Sequence, residues 1–199
     1  MGNKIKYNLK NVHAAVMTAT VTNGVTSYSY GTPQAIPGAV SISLDAEGES
    51  SPFYADGIVY YRTFANNGYS GDLEIALIPE SFRTDILKEE PDKNKVLIEN
   101  KDINVGKFAL LFRFDGDIRA INHVMYNCSV SRPKIGSKTN EESKEVQTET
   151  LTISAKPLVQ GFVKAKTGDS TPQTVYDNWF KSVYLPSFAV AAASQTATS

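Results

Sequence analysis

The chain predicts a mainly-β fold of antiparallel strands with one or two short flanking helices. Three observations lead there. Apolar and polar residues alternate in segment after segment, Asp-Gly and Asn-Gly pairs stand where tight hairpin turns need φ > 0, and only two stretches show the four-residue spacing of a helix.

Taken in order, Val40, Ile42 and Leu44 alternate with Ser41, Ser43 and Asp45, so one face of that strand is core and the other wet. The run PFYADGIVYYRTFANNGYSGDLEIALIP, residues 52–79, sets strand-like segments around Asp56-Gly57 and Asn67-Gly68 and reads as an antiparallel meander. Within it Leu73, Ile75 and Leu77 alternate with Asp72 and Glu74. Pro79 suits a first helical position, Glu80 follows at the positive end of the dipole, and Phe82 and Ile86 fall on one side. Phe108, Leu110, Phe112 and Phe114 alternate with Ala109, Leu111 and Arg113. That strand is apolar on both sides and should lie centrally, or pack one face on a helix or a neighbouring subunit.

Asp115-Gly116 signals a turn into residues 121–131, where Val124, Tyr126, Cys128 and Val130 are expected to share a face. Residues 133–146, PKIGSKTNEESKEV, are charged and aperiodic and read as a long mobile loop. Leu151, Ile153 and Ala155 mark the last strand pattern. A second helix is expected from Thr171-Pro172 to about Val183, capped by Thr171, with Val175, Trp179 and Val183 as its stripe and Tyr176 and Phe180 widening it. One domain is expected over residues 1–186, including an N-terminal arm, with residues 187–199 a flexible arm rich in Ala, Ser and Thr.

Composition narrows the function classes. The 199 residues are 41% hydrophobic and 21% charged, enough to bury a core as one domain. Lys plus Arg number 20 against 21 Asp plus Glu, so no net positive field drives general nucleic-acid or anionic-membrane binding. One cysteine, Cys128, rules out an intramolecular disulfide, the start MGNKIKYNLK lacks a secretory apolar core, and no segment approaches ~18 apolar residues. The expectation is a protein soluble in a reducing compartment and not inserted in a membrane.

No constellation for catalysis or cofactor binding emerges. A Ser-His-Asp site would have to use His13 or His123 without a G-x-S-x-G elbow. His123 and Cys128, five apart on an extended strand, should point to opposite faces and so cannot share a zinc ion. Cys128 reads as a small buried hydrophobe. Asp115-Gly116-Asp117 lacks the further ligands of a calcium loop, Gly68-Tyr69-Ser70-Gly71 is no phosphate loop, and Asn127-Cys128-Ser129 is a chance sequon inside a strand. The aromatics Phe53, Tyr54, Tyr60, Tyr61 and Phe64 are a different matter. Single-strand binding would need interleaved cations, yet Arg62 is the only one between Gly57 and Arg83, so subunit contact is the better expectation.

The segments LKNVHAAV, YGTPQAIPGAVSISLDAEGE, PFYADGIVYY, NNGYSGDLEIALIPESFRTDIL, FALLFRFDGD, HVMYNCSVSRP, QTETLTISAKP and VYDNWFKSVYLP resemble, in this order, the major tail proteins of siphophages infecting Gram-positive bacteria. The resemblance spans residues 5–186 and rests on ordered segments, none of them catalytic. It implies a tail-tube-type antiparallel β-sandwich with a flanking helix, whose inner sheet joins an inter-subunit β-barrel in a homohexameric ring. The rings would stack around a tape measure protein, meet tail terminator and tail-tip proteins, and pass double-stranded DNA during ejection, as part of a virion assembled in the host cytoplasm. On that reading Asp72 and Glu74 are candidates for the lumen wall, because sliding DNA calls for a neutral to acidic surface. The rival from another class is a small carbohydrate- or protein-binding β-sandwich, adhesin-like, with the aromatic hairpin as its binding surface.

Overall fold

The computed structural model describes residues 2–139 and 146–187. Strands make up 49% of it and helix 8%, so the chain is mainly β. In order these are β1 (Lys6–Thr22), β2 (Val25–Tyr30), β3 (Gln34–Ala35), β4 (Ala39–Glu47), β5 (Ser50–Ala55), β6 (Ile58–Phe64) and β7 (Gly68–Ile75). There follow α1 (Glu80–Phe82), running into a π-helical turn at Arg83–Leu87, then β8 (Glu90–Pro91), β9 (Leu97–Ile98), β10 (Phe108–Gly116), β11 (Ile121–Val130), β12 (Glu149–Ala155), β13 (Lys164–Lys166) and α2 (Gln173–Asn178).

The main antiparallel sheet runs β2-β1-β10-β11-β12-β7-β4, with β3 on β1 and β13 on β11. It folds over as a β-sandwich: Ala14, Phe108, Leu110, Phe112 and Met125 from one half share a core with Leu73, Ile75, Leu151 and Ile153 from the other. Phe82, Ile86 and Leu87 of the helical turn join this core, with Phe82 edge-on to Phe108 at 5.6 Å. The Arg83 guanidinium holds that turn in place by bonding Glu149 at 3.0 Å and Glu89 at 3.3 Å.

The two-sided apolar strand is central, as its composition requires. β10 lies between β1 and β11; Phe108, Leu110 and Phe112 face the sandwich interior, while Ala109 and Leu111 face a second cluster closed by Trp179, Leu158 and Tyr126. Residues 175–184 lie across this outer face. Trp179 Nε1 donates to the His123 carbonyl at 3.2 Å and the Tyr176 hydroxyl to the Ala120 carbonyl at 2.8 Å. Helix α2 is shorter than the apolar stripe implies, and Thr171 is not its cap: Pro172 stands there, while Thr171 Oγ1 accepts from Gly168 N–H at 2.8 Å. Pro79 likewise precedes α1 as its cap in extended conformation, because φ −63° with ψ 148° is not helical.

Two bulges overturn face assignments made by alternation. Between Ala39 and Ser41 the pairing with β7 slips by a residue, so Ala39, Ile42 and Leu44 pack inward and Val40 is exposed. Between Phe108 and Leu110 the partner β11 advances from Cys128 to Met125, one residue too many. Val124 and Tyr126 therefore join the outer cluster, whereas Cys128 and Val130 join the interior. The same bulge puts His123 and Cys128 on one face, contrary to strict alternation. No group of three or more His, Cys, Asp or Glu suited to a metal occurs among the described residues.

Other expectations need smaller corrections. Leu77 lies beyond the end of β7 and is exposed. Asp115-Gly116 belongs to β10, and the turn falls at residues 117–120, where Asn3 accepts from the Ile118 and Arg119 N–H groups and donates to the Arg119 carbonyl. Asn67-Gly68 is not a hairpin turn: Gly68 opens β7 at φ 111°, and a Cβ there would stand 2.0 Å from the Ala155 carbonyl oxygen. The expected mobility of residues 133–146 falls partly, and that of the arm at 187–199 almost wholly, outside the described residues.

Candidate functional site

Strands β4 through β7 form one long hairpin, not a meander. β4 pairs with β7, β5 pairs with β6, and between these pairs Ala65 N–H donates to Glu49 O at 3.0 Å and Asn67 N–H to Glu47 O at 2.8 Å. The turn at the tip is Asp56-Gly57, both left-handed at φ 52° and 77°, the conformation a two-residue hairpin demands. The inner half is part of the main sheet. Among the described residues the outer half, residues 50–64, pairs with no other strand, and it leaves the sheet as a separate two-stranded ribbon.

This ribbon carries all five aromatics singled out above. Phe53 opposes Tyr61 across the strands, while Pro52 opposes Arg62 and Ser50 opposes Phe64, and a bulge at Tyr60 follows. By strand alternation Phe53 and Tyr61 occupy one face and Arg62 and Phe64 the other, so aromatic surface appears on both sides. Phe53, Tyr54, Tyr60, Tyr61 and Phe64 are 60–77% exposed, and none belongs to either core cluster. The register sets Phe53 opposite Tyr61, yet both stay about as exposed as the other three. At ~150–250 Å² per aromatic side chain, covering the set removes on the order of 500 Å² from water, a large share of one partner's face in an ordinary interface.

A second projecting hairpin was not marked by the sequence reading. The end of β1 pairs only with β2 around Asn23-Gly24, whose φ values of 52° and 77° repeat the Asp56-Gly57 geometry. Its tip exposes Val21 and Val25. The signal was available as an Asn-Gly pair between two Val/Thr-rich alternating runs.

Asp72 and Glu74 lie together on the outer face of β7, away from the core residues Leu73 and Ile75. Hydroxyls from both neighbouring strands bind them: Thr152 donates to Asp72 at 2.7 Å, Ser41 to Glu74 at 3.1 Å and Thr148 to Glu74 at 2.6 Å. Along β4 the same face carries Ser43, Asp45 and Glu47 in register with Asp72, Ser70 and Gly68. Lys156 pairs with Glu47 and, by that hydrogen bond first of all, holds its carboxyl below the usual range. The result is a hydroxyl-rich, net acidic sheet face, ending at β4, which has a strand partner on one side only.

Among the described residues neither histidine has a carboxylate hydrogen-bonded to its ring. His13 Nδ1 lies 2.9 Å from the Asn11 carbonyl. His123 stacks on Phe112, and burial, with Lys166, Lys164 and Lys6 adding to it, lowers its pKa to about 4. Burial pushes the Cys128 thiol up to about 12, so it is no thiolate at neutral pH. No helix among the described residues is long and apolar enough to cross a membrane. No protein-family model matches the chain, and no curated protein sequence matches it.

Proposed function

We propose that this chain is a virion structural protein, the major tail tube subunit, which polymerises into stacked hexameric rings and forms the conduit for genome ejection. The observation that supports this reading best is the ribbon at residues 50–64, whose aromatics lie outside both core clusters. Exposed apolar surface of that extent marks a contact site, and a two-stranded ribbon standing alone in water is marginal without cover. A ribbon of one copy laid on a different surface of the next makes a head-to-tail contact, which closes into rings or continues as a stack.

The sheet contributes the second half of the reading. β4 is an edge that a neighbouring strand can extend, giving the inter-subunit barrel, and the face bearing Asp72 and Glu74 becomes the wall of the bore. Carboxylates and hydroxyls there repel or ignore DNA phosphates, whereas lysines would hold them. The tape measure protein fills that bore before DNA does, and the terminator and tip proteins cap its ends. This reading assigns the chain no reaction and no cofactor.

Negative-stain microscopy of the purified protein tests it. Rings or tubes are expected, and Tyr60→Asp with Tyr61→Asp should yield a folded subunit that fails to form them. Discrete monomers at all concentrations would contradict the tube and favour the carbohydrate- or protein-binding module; tubes of undiminished yield in the double variant would take the ribbon out of the interface.

A further inference from the structure

The sandwich is open on one side, between β4 and the strands β10 and β11, in a cleft of about 320 Å³. Phe112, Phe114 and Tyr69 line it with His123, and Lys6 and Lys164 stand among its walls. His123 lies flat on Phe112 with ring centres 5.0 Å apart and meets Phe114 edge-on at 5.2 Å. The lysines are seated against the same rings: Lys6 Nζ is 5.0 Å from the centre of Phe114 and Lys164 Nζ 4.2 Å from that of Tyr69. Lys166 joins them, because it is the cross-strand partner of His123 as Lys164 is of Met125.

No carboxylate lines this cleft, and among the described residues none of these three lysines forms an ion pair. Only two described lysines have a carboxylate partner, Lys10 on Asp115 at 2.7 Å and Lys156 on Glu47, so what sets this cleft apart is that its cations gather over aromatic rings. On a chain of net charge −1, two lysines in the cleft and a third on the neighbouring register position, with no counter-charge among the described lining residues, are a local excess that an anion would offset. We infer that this cleft is an anion-binding site, taking a carboxylate or phosphate group whose attached apolar or planar part lies on Phe112, Phe114 and Tyr69.

The chemistry of the walls fits that class. Ammonium groups resting on aromatic faces keep their stems ordered while presenting N–H donors to an anion, and lysine serves phosphate as a point charge. His123, with Lys6 approaching from β1, Lys164 and Lys166 from β13 and Phe112 and Phe114 from β10, stays neutral at pH 7 and so adds no fourth charge. An anion seated among the lysines removes their repulsion of the imidazolium, so the His123 pKa rises from about 4 when the site fills. The anion's source is either a free small molecule or a side-chain carboxylate of a second copy of this chain, and neither depends on the tail tube reading.

The test is NMR of the His123 imidazole in the full chain, kept dilute, during titration with inorganic pyrophosphate and separately with benzoate. A saturable His123 shift is expected, weakening as salt rises and at least tenfold weaker in a Lys6→Gln, Lys164→Gln, Lys166→Gln variant whose thermal unfolding matches the parent. The same shift appearing without added anion as chain concentration rises would assign the carboxylate to a second copy; a shift only with added anion would assign it to a free ligand. No saturable response to either probe and none to concentration would overturn the site, as would undiminished binding in the triple variant.

Discussion

The inner and outer halves of the long hairpin β4–β7 differ in what covers them, although their strands are continuous and both are rich in apolar residues. The inner half has β12 alongside β7, and Leu73 and Ile75 disappear into the core. The outer half has no neighbouring strand among the described residues, so Tyr60 and Phe64 remain 72% and 77% exposed. Apolar content alone therefore does not tell core from contact surface. The number of neighbouring strands does, and a ribbon that leaves its sheet carries its hydrophobic residues to a partner instead of to the interior.

Substitutions that break this contrast should differ sharply between the halves. Gly71→Ala has the largest expected effect, since its Cβ would stand 1.9 Å from the Ser43 carbonyl oxygen and force β4 away from β7; a loss of about 4 kcal/mol or more is expected in denaturant titration. Stability equal to the parent would mean that the inner pairing tolerates a side chain there. Leu73→Ala, a cavity at a fully buried site, should cost about 3 kcal/mol by the same measurement.

The pH dependence of stability comes next in size. His123 titrates at about 4 in the folded chain and near its ordinary 6.5 when unfolded, so the unfolded chain takes up the proton first. Stability is full above pH 6.5 and falls between 6.5 and 4, by roughly 2 kcal/mol once partial exposure is allowed for. His123→Gln should flatten that part of the profile, and an unchanged slope would place its origin elsewhere. Smallest is Tyr60→Asp with Tyr61→Asp in the dilute subunit, expected within about 0.5 kcal/mol of the parent. A greater loss would mean that the ribbon packs on its own subunit.

Alternation of residue type was enough to place β10 in the centre, because Ala109 and Leu111 leave no wet face opposite Phe108, Leu110 and Phe112. It was not enough to assign faces at Val40 or across Tyr126 and Cys128, where a single extra residue reverses every side chain and leaves no mark in composition. Turn chemistry located Asp56-Gly57 and was misleading at Asn67-Gly68, where glycine serves a close backbone approach to Ala155. The aromatics of the ribbon were legible as contact candidates. The cleft was not, because Lys6, His123 and Lys164 are brought together only by the pairing of β1, β11 and β13 through the sheet.

The most direct test of the ribbon as an assembly surface is amide hydrogen exchange at residues 50–64, compared between dilute and concentrated protein under conditions where the inner strands stay protected. Cover by a second copy predicts fast exchange in β5 and β6 at dilution and strong slowing on assembly, with β7 and β12 protected in both states. Equal, fast exchange of the ribbon in both states, in a sample shown by microscopy to be assembled, would contradict the account.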